Sequence, residues 1–196
     1  MHLIISLLVT FAAISVAFTL PEAASDGFYV AYYNDTGHEV HVKSPHISLF
    51  KSLGHSDDEP TKSTTPRSNS ARLQRRGTTW CGCTQKMNPG NCDSAVADLK
   101  SQLDAQSWGI AGITRGTSWY AIKGDVVAFV CNHSRDTDTL INASTYGDGL
   151  AQITSACGLY SAGTLEHVTN IDVGYMIFGP GTNFCQAART SPVSRC

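Results

Sequence analysis

Chemistry in this chain of 196 residues can come from three small sets of side chains. The first is a group of seven cysteines: Cys81, Cys83, Cys92, Cys131, Cys157, Cys185 and Cys196. The second lies downstream of residue 76, where His133 and His167 stand with Glu166 and Arg115. A histidine, a carboxylate and a guanidinium can serve as the acid, base and phosphate clamp of a small ribonuclease-like hydrolase. The third is the basic pair Arg75-Arg76 in LQRRGTTWCGC, immediately ahead of the first cysteines.

The acid–base set is the weakest of the three. Glu166 and His167 are neighbours and cannot face each other on a strand. His133 lies inside a glycosylation sequon. The chain contains no Gly-Xaa-Ser-Xaa-Gly, no His-Glu-Xaa-Xaa-His and no phosphate-cradling glycine loop. No catalytic residue is assigned, and the expectation is a protein that is not an enzyme. Cys81-Gly82-Cys83 lacks the two-residue spacer of a redox pair or a zinc knuckle. Neither a metal nor a cofactor is expected.

The cysteines take their meaning from the N-terminus. An apolar run from Leu3 to Ile14, followed by Ser15-Val16-Ala17, reads as a signal peptide over residues 1–17. It is short for a membrane span, and no later stretch qualifies, so secretion without stable membrane insertion is expected. In an oxidising compartment, cysteines at this density form disulfides. An odd count implies three bridges and one free thiol, with the pairing left open. Cys131 and Cys157 sit at the ends of core elements and are expected to be bonded. The free thiol is expected near a terminus, at Cys81, Cys83 or Cys196.

Composition divides the chain at the basic pair. Residues 18–76 hold no cysteine. Alternating residues from Phe28 to Tyr33, a turn at Asn34-Asp35-Thr36-Gly37 and resumed alternation at Val40 and Val42 predict a β-hairpin. From Ser52 to Arg76 the chain turns to Ser, Thr, Pro, Asp and Arg, the composition of a linker. A linker ending in Arg75-Arg76 is the kind of exposed chain that a kexin-type processing protease cuts. Residues 18–76 then read as a propeptide and 77–196 as the mature domain. No bridge can hold the upstream part, so the cut is expected to release it. The formal net charge of −2 and a charged fraction of 15% argue against nucleic acid or acidic membranes as general partners.

The mature part must position the cysteines. Val96, Leu99 and Leu103 recur at helical spacing behind a cap at Asp93 or Ser94, after a turn at Asn88-Pro89-Gly90. Residues 118–122 and 126–131 flank Lys123-Gly124-Asp125 as a hairpin. Tyr146, Leu150, Ile153 and Cys157 share a helical face that ends at Gly158. Residues 172–178 form a last strand. With a short strand near Thr78 to Cys81, the order is a split βαββαβ unit: an α+β sandwich with two helices on one face of an antiparallel sheet, held by disulfides.

Sequons at Asn34, Asn132 and Asn142 predict a glycoprotein. Trp80, Trp108 and Tyr120 are the candidate partner-binding aromatics, and Trp119 reads as core. The segments SWYAIKGDVVAFVCN, GDGLAQITSACGLYSAGT and VGYMIFGPGTNFC resemble, in their order, the hairpin, second helix and last strand of fungal killer-toxin-like secreted proteins. That set includes the necrosis-inducing extracellular effectors of plant-pathogenic fungi, and the resemblance covers residues 80–186. It implies an effector or toxin-like virulence factor that binds a host protein or cell-surface component, or a competitor. A ribonuclease-like hydrolase and a cell-wall or self-signalling protein are the alternatives.

Overall fold

The structure is a computed structural model that describes residues 18–43, 77–105, 110–168, 170–179 and 181–196. The segments expected to be a signal peptide (1–17) and a linker (52–76, with Arg75 and Arg76), together with Trp108, lie outside the described residues.

The central element is β6 (Val126–Asn132), in which all seven residues are buried. Its apolar run on both sides marks an interior strand covered on both faces. Around it the chain builds a seven-stranded antiparallel sheet. The contributing strands are β1 (Gly27–Tyr33), β2 (Glu39–Lys43), β3 (Thr79–Lys86), β5 (Ser118–Lys123), β8 (Ser161–Val168) and β9 (Ile171–Ile177). The order across the sheet is β2-β1-β5-β6-β9-β8-β3. Helices α1 (Pro89–Asp104) and α2 (Ala143–Cys157) complete the domain, with a separate two-stranded ribbon of β4 (Ala111–Ile113) and β7 (Thr139–Ile141).

Strand alternation sorts the sheet into two apolar faces. Phe28 and Val30, Trp119 and Ala121, Ala128 and Val130, and Val173 and Tyr175 point to one side. There they meet Ala95, Leu99 and Leu103 of α1 and Tyr146, Leu150 and Ile153 of α2, so both helices share a face as expected. Gly163 on β8 lets α2 come close, since a Cβ there would stand 2.5 Å from Ile153 Cγ2. The intervening residues Tyr29, Ala31, Tyr120, Ile122, Val127, Phe129 and Met176 point the other way. Among the described residues no helix covers them. They are roofed by Phe18 and Leu20 from the start of the described chain and by Phe184 and Cys185 from its end.

The structure corrects several expectations. Helix α1 begins at Pro89, ahead of the cap expected at Asp93 or Ser94. Asn88 is the N-cap, its side chain accepting from Asn91 N at 3.1 Å, and Pro89 takes the first helical position. Asn-Pro-Gly is a turn signal, but proline at N1 behind an asparagine cap is equally a helix start. Strand β8 was not anticipated, so two strands follow α2. SAGTLEHV carries a serine, a glycine and no clean alternation, and it pairs with strands on both sides. The three-residue strands β4 and β7 were also missed. The upstream hairpin forms as expected, yet it does not stand apart: β1 pairs with β5 from Gly27↔Ile122 to Ala31↔Ser118.

Candidate functional site

Pairing of β8 with β9 sets Glu166 opposite Asp172, on the face away from the helices. Across the other edge of β9, Asp172 faces Cys131, which is bonded to Cys185 in the C-terminal segment. That bond carries the tail over the sheet and delivers Arg189. Asp172 is fully buried, with 0% of its surface exposed. A carboxylate there is tolerable only when paired and hydrogen-bonded. It accepts from Arg189 Nη2 at 2.6 Å, from Arg189 Nε, and from His133 Nε2 at 3.0 Å. Arg189 Nη2 also lies 3.7 Å from Glu166 Oε1, and its guanidinium sits 5.4 Å from the centre of the Trp80 ring. The hydrogen bond to Asp172 holds Arg189 still more firmly protonated than an ordinary arginine.

A histidine oriented by a buried carboxylate has the outline of an acid–base pair. Here the carboxylate is already neutralised by a two-pronged arginine, the strongest pairing geometry available to it. The arrangement fastens the tail to the sheet. His133 and Glu166 are thus drawn into one cluster, but by Asp172 and Arg189, which the sequence reading did not single out. An aspartate inside an otherwise apolar strand was the signal that could have found it.

The other members of the acid–base set lie elsewhere. His167 points to the helix face, where burial lowers its pKa from the ordinary 6.5. Arg115 sits in the turn ahead of β5; its backbone N–H donates to Asp138 Oδ1 at 2.9 Å and its Nη1 to the carbonyl of Asp136 at 3.1 Å. A half-open groove of about 370 Å³ runs between β3 and the tail past Thr84, Gln85, Met176 and Ser191, and no titratable side chain lines it. Among the described residues no group of His, Cys, Asp and Glu is placed to hold a metal ion.

Three disulfides join elements: Cys81–Cys157 ties β3 to α2, Cys83–Cys196 ties β3 to the chain end, and Cys131–Cys185 ties β6 to the tail. Cys131 and Cys157 are bonded as expected. The free thiol is not terminal. It is Cys92, buried in the first turns of α1, where desolvation pushes its pKa up to about 11. A buried thiol packs as a small apolar side chain. Cys196 is held, its N–H donating to Ala156 O at 3.0 Å while its sulfur reaches Cys83.

The glycan and aromatic expectations divide. Asn34 is exposed in the β1–β2 turn. Asn142 caps α2 through its oxygen, which accepts from Thr145 N at 2.8 Å, whereas a glycan attaches at the nitrogen. Asn132 is buried, and its nitrogen donates to Ile113 O at 2.9 Å and Thr137 O at 3.0 Å, so this fold leaves no room for a glycan there. Tyr120 is not an exposed contact residue. It is fully buried, stacked on Tyr29 at 5.1 Å and covered by Phe184. Trp119 is core, as expected, and Trp80 is half-buried beneath Arg189. Leu140 on β7, 73% exposed, and Ile110 before β4 are apolar surface residues that the sequence reading passed over.

Comparison with family models, with curated proteins and with solved structures finds no match for the chain. Among the described residues no helix is long and apolar enough to cross a membrane.

Proposed function

We propose that the protein is secreted and acts outside the cell as a toxin-like effector that binds a component of a host or competitor cell. One observation carries most of the reading: three disulfides cross-link separate elements, which suits a small domain working in an oxidising, protease-rich environment. The N-terminal signal and the resemblance of residues 80–186 to killer-toxin-like proteins support the same reading. Glycans at Asn34 and Asn142 fit it, and so does hydrolysis of the Arg76–Gly77 bond by a kexin-type protease. The test is to apply the purified, oxidised protein to leaf tissue and to competing fungal cells, with a reduced and alkylated sample as control. Cell death, growth arrest or a suppressed immune response that is lost in the control supports the proposal. No effect on either target, together with partition of the secreted protein into the producer's own wall, favours the self-directed alternative.

A further inference from the structure

We infer that residues 18–43 remain in the processed protein as a second, noncovalently bound chain that completes its sheet. The inference rests on the proposed cut after Arg76, in which one water adds across the Arg76–Gly77 bond to leave a carboxylate and a free amine. A cut in the linker removes the tether between residues 18–43 and 77–196, and no disulfide crosses it because the cysteines begin at Cys81. What crosses it is folded structure.

Strand β1 lies between β2 and β5, and it is aligned with β5 over five residue pairs. Its side chains serve both faces: Phe28 and Val30 are buried against the helices, and Tyr29 and Ala31 against the terminal segments. Phe18 and Leu20 are each 1% exposed. Polar contacts fix the register. Asp26 pairs with Lys123 at 2.9 Å and accepts from Gly124 N at 2.8 Å. His41 Nδ1 meets the Tyr120 hydroxyl at 2.7 Å. The upstream chain also grips the tail, with Leu20 N donating to Thr182 O at 3.0 Å and Thr19 bridged to Asn183.

Departure of residues 18–43 would turn β5 from an interior strand into an open edge. It would also uncover Tyr120, Ile122 and Phe184 together. An unpaired edge beside an exposed apolar patch is the combination that drives aggregation. Strand addition of this kind is a recognised mode of tight binding, in which backbone hydrogen bonds supply affinity and alternate side chains fill pockets. The partner here is the chain's own upstream hairpin.

The experiment uses the chain from residue 18 to residue 196, purified uncut and then cleaved after Arg76 with a dibasic-specific protease. Native size exclusion should give one peak at the volume of the uncut protein, and denaturing electrophoresis of that peak should give two fragments. Val30→Ala, which trims a buried contact without burying a charge, should leave the uncut chain folded, yet weaken retention at least tenfold after the cut. Elution of the upstream fragment apart from 77–196, or precipitation of 77–196 with the fragment left in solution, overturns the inference. N-terminal sequencing of the naturally secreted protein separates the two readings. Termini near Phe18 and at Gly77 together support both. A single terminus near Phe18 ends the processing proposal alone, and the cut in vitro still decides retention.

Discussion

The two faces of the sheet are closed by different means. On one side, two helices of conventional length lay apolar stripes over the strands. On the other, two irregular segments from opposite ends of the described chain meet over β5, β6 and β9. A helix satisfies its own backbone and needs only packing. An irregular segment must be held by other means, and here a disulfide, a buried ion pair and a strand pairing do so. The helix face is therefore expected to tolerate single changes in its fasteners, and the terminal face to depend on them.

The most severe way to break the contrast is to remove the bond between β6 and the tail. Cys131→Ala with Cys185→Ala is expected to destabilise the protein by about 4 kcal/mol in the loop-entropy view, measured by urea unfolding. A loss below about 1 kcal/mol would mean that the tail holds without its bond. Arg189→Ala comes next. It leaves Asp172 buried with His133 as its remaining partner, and a cost of about 2–4 kcal/mol is expected. Arg189→Lys should recover only part of it, because an ammonium cannot donate two parallel bonds. Full recovery by lysine would show that charge alone matters there.

Smaller changes sharpen the comparison on both sides of the sheet. Burial holds the pKa of His167 below its ordinary 6.5. The unfolded chain therefore takes up a proton before the folded one does. Stability from this residue is complete above about pH 6.5 and is lost as pH falls toward the lowered folded value. His167→Gln should flatten the acid side of the stability curve, and an unchanged slope would exclude His167 as its source. Tyr120→Phe removes the bond to His41 and should cost about 1 kcal/mol. The smallest effect is at Cys92. Its thiol should react with a thiol reagent only after denaturation, and Cys92→Ala should shift the unfolding midpoint least of all. Rapid labelling of the native protein would show that the first turns of α1 open.

Much of this architecture was legible in the sequence where a pattern and its punctuation coincide. The β5–β6 hairpin, α2 with Gly158 behind it, β9, and the β1–β2 hairpin around Asn34 to Gly37 all combine clear periodicity with a turn or cap. β8 lacked that signature because its burial comes from neighbours on both sides. The identity of the free cysteine was hidden for a related reason. Pairing follows spatial proximity, and the closeness of Cys83 to Cys196 arises only once the tail has crossed the sheet. Of the charged cluster, His133 and Glu166 could be singled out by residue type. Asp172 and Arg189 could not be matched, because the tail that brings them together has no regular pattern.

Hydrogen exchange on the uncut chain tests most directly the claim that the upstream hairpin belongs to the same folded unit as the cystine-bonded part. If the β1 amides from Gly27 to Tyr33 open only with the sheet, their protection should fall within about tenfold of that of β5 and β6, as for members of one cooperative unit. Exchange of β1 at the rate of an unprotected loop, with β5 and β6 still protected, would contradict it and make residues 18–43 a loosely attached appendage.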